Sequence, residues 1–285
     1  MKKYIGIIVV LLISVQFVFA GIISAKDAAK LSKDGKAIIV STKPVADYSK
    51  KHIEGAVNID HAALYNTEGI KSMLKPAAEI AKILGEQGIS ADKKIIIYDT
   101  GSNKAAGRLY WILKYMGAKD VDILDGHIKG WKKARKPITG KATEIEAATF
   151  TPAVNSAIYA DIEYVKANLK NDKVVIVDVR SADEYNGKEK DDANINKKGH
   201  IEGAVNFDHV NVFKEDGVLK SKDEIIAAAK SAGITADKEI ILYCASSVRA
   251  GIVFMALTDV AGFKNVKVYD GAYYEWNVGK DNPIK

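Results

Sequence analysis

The chain has 285 residues, enough for about two domains. Its composition, 48% hydrophobic and 27% charged with 5 prolines, excludes the disordered and fibrous classes. The formal charge of +6 comes from basic and acidic side chains that are interspersed, as in KEKDD at 188–192, with no arginine-rich stripe carrying aromatics. This describes a solvated lysine-rich surface and argues against a nucleic-acid partner.

In chain order, the first feature is a leader. Lys2 and Lys3 precede an apolar run from Ile5 to about Ala20, and Val18 and Ala20 occupy the −3 and −1 positions of a small-residue cleavage site. A secretory signal peptide over 1–20 is expected, with a periplasmic or secreted product and no membrane association after cleavage. The rival is an uncleaved anchor, since a span needs about 20 apolar residues. No second long apolar run follows.

Apolar β-branched runs at 37–40 and 94–98 read as buried parallel strands, with a shorter one at 121–124. Helical patterns at 76–85 and 105–117 alternate with them, each ending at Gly, a common residue after a helix C-terminus. The stretch 138–156 has no clean period, and a linker is set at 141–156 within it. Then the pattern returns. Strands are expected at 174–177, 239–243 and 266–268, with helices at 222–233 and 250–262.

The chain is in fact written twice. HIEGAVNID at 52–60 returns as HIEGAVNFD 148 residues later. IIIYD at 95–99 returns as IILYC at 240–244, and DGHIKGW at 125–131 as DGAYYEW at 270–276, both 145 residues on. KAIIV at 36–40 matches KVVIV at an offset of 137, so the second copy carries about eleven extra residues, placed at 186–197. Strands alternating with helices give an α/β fold, each copy a mainly parallel sheet flanked by helices on both faces.

The chain has one cysteine, Cys244, so an intramolecular disulfide is impossible. It ends a buried strand and opens the segment Cys244-Ala245-Ser246-Ser247-Val248-Arg249, which runs into a helix. Ligands of open α/β sheets bind at such strand ends. A short loop of small residues can turn its backbone N–H groups onto one anion, and the helix N-terminus adds to the effect. A thiolate would be favoured there and would be a strong nucleophile. The plain alternative is a small buried hydrophobe.

The sequence resembles the tandem-domain rhodanese family, the thiosulfate and 3-mercaptopyruvate sulfurtransferases. The resemblance covers about residues 22–280 and rests on Asp178-Val179-Arg180 with Glu184 and Tyr185, GHIEGAVN at 199–206, the Tyr243-Cys244 to Arg249 loop, and Asp270-Gly271 with Glu275-Trp276. It implies two tandem rhodanese-like domains, an inactive one at 21–140 and a catalytic one at 157–285. In the family the first copy commonly has Asp in place of Cys, and here Asp99 stands opposite Cys244, with Ser41 and Lys43 opposite Asp178 and Arg180. A carboxylate cannot carry a sulfane sulfur, and lysine lacks the arginine fork.

The implied activity is ping-pong sulfur transfer from thiosulfate to cyanide or a thiol through a persulfide on Cys244. Arg180 and Arg249 are expected to bind the donor's anionic end, the amides of Ala245, Ser246, Ser247 and Val248 to line the cradle, and Ser246 and Ser247 to add hydroxyls. The arginines could instead be structural, Arg180 paired with Glu184 and Arg249 with a nearby carboxylate. His200 reads as part of a structural turn, and Arg108, Tyr110 and Trp111 as wall or core of the first copy. The four residues between Cys244 and Arg249 suit a sulfane sulfur better than the wider five-residue cradle of phosphatases and arsenate reductases that resemble this fold. For the donor, Ser246 matches the mercaptopyruvate pattern, but Lys197 and Lys198 stand where an arginine is expected before GHI, and a histidine-bearing segment after Asn58-Ile59-Asp60-His61 is not visible. Thiosulfate is therefore favoured, with 3-mercaptopyruvate, or a non-catalytic sulfane-sulfur carrier, as alternatives. No metal-ligand cluster or nucleotide-binding loop occurs, so no metal and no cofactor are expected. Partners would be the small-molecule donor and acceptor, with the chain a monomer.

Overall fold

In the computed structural model, residues 21–188, 190, 192–215 and 217–285 are described. The leader at 1–20 lies outside them. The first copy runs β1 (Ile22–Ile23), α1 (Ala25–Lys33), β2 (Ala37–Ser41), α2 (Val45–Lys50), β3 (His52–Ile53), β4 (Val57–Asn58), α3 (Ala77–Glu86), β5 (Lys94–Tyr98), α4 (Lys104–Tyr115), β6 (Val121–Leu124), α5 (His127–Lys133) and β7 (Ile138–Thr139). The second runs β8 (Tyr159–Ala160), α6 (Ile162–Asn168), β9 (Val174–Asp178), α7 (Ala182–Tyr185), β10 (Val205–Asn206), α8 (Lys222–Ser231), β11 (Glu239–Tyr243), α9 (Ala250–Met255), β12 (Val266–Tyr269) and α10 (Ala272–Trp276).

Each copy folds into a five-stranded parallel sheet, β1-β6-β5-β2-β4 and β8-β12-β11-β9-β10, which is one topology used twice. The central strands are apolar on both faces because both faces are covered. Alternation sorts their side chains. Ile241 and Ile176 pack under α6 and α10, whereas Ile240, Leu242, Val175 and Val177 face α8 and α9. Ile96 and Ile39 against Ile95, Ile97 and Val40 repeat the division in the first copy. The second set of each copy joins one core shared by both, so the copies meet on a common apolar face.

The helices α4 and α9 cross at glycines. A Cβ on Gly107 would lie 2.5 Å from the Ile252 amide nitrogen, and one on Gly251 would strike the Gly107 carbonyl. The backbones therefore touch, as only glycine permits. The aperiodic stretch between the copies is strapped down rather than loose. Ile138–Thr139 pairs antiparallel with His52–Ile53 as a small second sheet, Ala148 N–H donates to Gly85 O and Ala153 N–H to Met116 O, and Phe150 is buried. The helical pattern from 250 continues past Met255 as a π turn over Ala256–Val260. No helix among the described residues is long and apolar enough to cross a membrane.

Candidate active site

Residue 244 continues the face of Ile240 and Leu242, so strand alternation aims its side chain at the junction of the copies. Cys244 is fully buried there. The helix α10 holds the loop that follows, with Tyr273 N–H donating to Cys244 O (3.0 Å) and Tyr274 N–H to Ala245 O (2.9 Å). Ser247 takes a left-handed φ of 58° and its hydroxyl donates to Tyr269 O. Among the described residues, none of the amide N–H groups of Ala245 to Arg249 has a hydrogen-bond partner.

In the first copy the corresponding loop closes on itself. The Asp99 carboxylate accepts from Gly101 N–H (2.6 Å), Ser102 Oγ (3.2 Å) and Ala106 N–H (3.4 Å). The Asp99 amide donates to His127 Nδ1 (3.0 Å), whose Nε2 meets Asn103 Oδ1 (2.6 Å). Burial lowers the pKa of His127, which is consistent with the neutral ring that an accepting Nδ1 requires. Where the first copy fills its cradle with its own anion, the second presents bare amides beside a sulfur.

Of the two arginines, Arg249 makes the carboxylate pair named as its alternative, and Arg180 takes a partner other than Glu184. Arg180 is fully buried and does not serve the loop; its Nε and Nη2 grip Asp178 (3.0 and 2.6 Å), and Nη2 also donates to Gly199 O (2.6 Å). Its guanidinium lies 4.1 Å from the Tyr273 ring centre. Arg180 thus ties β9 to the GHIEG turn beneath α10, and its carboxylate partner is Asp178 rather than Glu184. Arg249 makes a two-point pair with Glu184, both bonds 2.6 Å, and lies within the electrostatic reach of Cys244. Burial pushes the Glu184 carboxyl up, but Arg249 and Ser181 outweigh it and hold it at about 2. The Ser181/Glu184 capping box of α7 was the signal in the sequence that fixed this carboxylate. Ser247 cannot offer its hydroxyl to a substrate while it serves Tyr269, a second correction; Ser246 and Val248 are half-buried on the loop. His200 stacks on Tyr185 at 3.6 Å and its Nδ1 meets Tyr185 O, an arrangement that His52 and Tyr48 repeat.

The first copy contributes more than a wall. Arg108, fully buried on α4, reaches across to Asp270 (Nη2–Oδ1 2.6 Å), to Ser72 O (3.0 Å) and to Tyr65 Oη (Nε, 3.3 Å). Asp270 also accepts from Leu74 N–H (2.9 Å), so the strap from Tyr65 to Leu74, bridged at its ends, is tied to the second copy. Burial raises the Tyr65 phenol to about 12, with Arg108 opposing and the nearby Cys244 adding to it. His61 Nδ1 meets the same phenol at 2.7 Å. Trp111 is core, its Nε1 donating to Ile158 O. The extra segment of the second copy wraps α10: Tyr273 Oη donates to Lys197 O, Tyr274 Oη to Asp192, and Asn277 Nδ2 to Asn194 O.

A parallel α/β sheet used twice, with a buried free cysteine and a run of unpaired amides after one strand end, defines a tandem α/β protein with one candidate thiol site. The model of the Rhodanese-like domain matches residues 24–134 and again 161–278, and the chain belongs to the rhodanese family as a sulfurtransferase with two tandem domains. It is 33% identical to the 3-mercaptopyruvate sulfurtransferase of Escherichia coli K12 over 84% of this chain and 85% of that one. It is 32% identical to a putative thiosulfate sulfurtransferase of Mycolicibacterium smegmatis, over 84% and 87%. The crystal structure of the Escherichia coli 3-mercaptopyruvate sulfurtransferase SseA superposes with a TM-score of 0.81 at 31% identity, covering 89% of this chain and 98% of that one.

Proposed function

We propose that the protein moves a sulfane sulfur from thiosulfate to a thiophilic acceptor through a persulfide on Cys244. The observation that carries this reading is the set of unpartnered amides from Ala245 to Arg249 beside Cys244, set against the Asp99 carboxylate that fills the matching loop. The Cys244 thiolate attacks the outer sulfur of thiosulfate, the S–S bond breaks, and sulfite leaves with the electron pair. The outer sulfur of the resulting persulfide is an anion that the amides stabilise. The acceptor, cyanide or a thiolate, attacks that sulfur and returns Cys244 to the thiolate. Arg249, pinned by Glu184, orients the charge beside the sulfur. The first copy, with Asp99, carries no sulfur. Lys197 and Lys198 before GHI, in place of an arginine, support thiosulfate.

The similarity to an Escherichia coli 3-mercaptopyruvate sulfurtransferase favours the second donor. There the C–S bond breaks and the pyruvate enolate leaves to take up a proton. Thiocyanate formation from cyanide, with kcat/KM measured for both donors, tests the reading. A higher value for thiosulfate supports it, and a higher value for mercaptopyruvate assigns the other donor. Retention of activity by Cys244→Ser rejects the site altogether. We also propose export, supported by the lysines and apolar run of the leader; N-terminal sequencing of the mature protein from host cells, showing loss of 1–20, checks it.

A further inference from the structure

We propose that Arg108, contributed by the copy that has no cysteine, is the residue that binds the anionic oxygens of the sulfur donor, a sulfonate or carboxylate end. The inference deepens the sulfurtransferase reading and rests on it. Catalysis needs a cation for that end of the donor, and the two arginines nearest the loop in sequence are committed. Arg249 has both terminal nitrogens on Glu184. Arg180 is held by Asp178 and Gly199 beneath the Tyr273 ring, and its electrostatic neighbours are Asp178, Tyr243 and Tyr273.

Arg108 differs in where it stands and in what it lacks. Its Nε and Nη2 are used by Tyr65, Ser72 and Asp270, but its Nη1 is buried with no hydrogen-bond partner. Such a donor is expensive to leave bare and is expected where a ligand completes it. Arg180 Nη1 is bare as well. Arg108, however, reaches across from the first copy: its Nε donates to Tyr65 Oη, and Tyr65 lies within the electrostatic reach of Cys244. Asp270 then fixes the guanidinium to the start of the turn into α10, the helix that holds the carbonyls of Cys244 and Ala245. Asp270 and α10 therefore link the Arg108 guanidinium to the backbone of the Cys244 loop. An arginine fork with a free N–H suits an oxygen of a sulfonate or carboxylate. The Tyr65–Leu74 strap is tied here by Ser72 O on Arg108 and Leu74 N–H on Asp270, and the proposal requires it to yield as the donor enters.

Ping-pong kinetics separate the two half-reactions. In Arg108→Met, kcat/KM for thiosulfate should fall on the order of 10- to 100-fold, the worth of one charge-assisted hydrogen bond to an anion. The kcat/KM for cyanide, which reacts with a persulfide already formed, should change by less than about threefold. Asp270→Asn, which keeps the guanidinium and removes the negative charge that anchors it and the Leu74 strap, should lower the donor constant much less. If Arg108→Met does not fold, Arg108→Lys, which keeps the charge without the fork, should show the same split. Equal losses in both half-reactions, or equal losses in the Arg108 and Asp270 variants, would overturn the proposal and leave Arg108 as a tie between the copies. A wild-type chain that gains no sulfur mass on Cys244 from either donor instead defeats the sulfurtransferase reading itself.

Discussion

Replacing Gly107 with alanine should weaken the protein although alanine is the better helix former. The added Cβ would lie 2.5 Å from Ile252 N, 2.6 Å from Ile252 Cβ and 2.7 Å from Ile252 Cα, where ordinary contacts begin at 3.4 Å. Two of these are backbone atoms of α9, so no rotamer change relieves them, and the helices must part by about 1 Å in a core packed on all sides. Overpacking of this kind costs about 1–3 kcal/mol, and contact with backbone belongs at the upper end. The gain in helix propensity returns about 1 kcal/mol. A net loss of about 2 kcal/mol lowers Tm by about 4–8 °C for a chain of this size. Turnover should fall with it, because Arg108 is the next residue on α4 and α9 leaves directly from the Cys244 loop. Thermal denaturation with parallel cyanide assays reads both. An alanine variant as stable as the parent, with full activity, would refute the reasoning that the backbones bear on one another.

The pair between Glu184 and Arg249 should show itself in acid. The Glu184 carboxyl is depressed on folding from 4.5 to about 2, so its contribution is present above pH 4.5 and lost as pH falls towards 2. Urea midpoints of the parent and of Glu184→Gln should differ at neutral pH and converge over that window. Arg180→Met should cost about 3–5 kcal/mol, because it leaves Asp178 charged and buried, while kcat/KM for the donor changes little in the folded fraction; denaturant titration and initial rates check the two halves. Asp99→Ala should reduce hydrogen-exchange protection over 100–106, whose donors lose their acceptor, without altering sulfur transfer.

The fold was legible because its periodicities are local. Buried runs at 94–98 and 239–243 announce parallel strands, and the repeat places Asp99 opposite Cys244 without any knowledge of distance. Two-residue strands such as β1 and β8 carry no pattern of their own and exist only because an edge of β6 or β12 is free to pair with them. The partners of charged groups were the harder part. Asp178 lies two residues from Arg180 on the same strand end and takes its fork, so Glu184 is left for Arg249, a choice that depends on how α7 turns back over the loop. Arg108 with Asp270 joins residues 162 apart in the chain, and the meeting of Gly107 with Gly251 joins two helix interiors. Neither glycine is distinguished in sequence from one merely tolerated in a helix.

The self-filled loop of the first copy makes the divergence of the two halves hard to reverse. Asp99→Cys would restore a sulfur at the strand end, yet it would strip three donors of their carboxylate, meet Lys104 where Arg249 stands, and still lack the grip of an arginine on the neighbouring strand, since Lys43 spends its ammonium on the carbonyls of Asp47 and Lys51. Several coordinated replacements would be needed before any one of them helped, so the two copies share a backbone while only the second presents a cysteine with open amides.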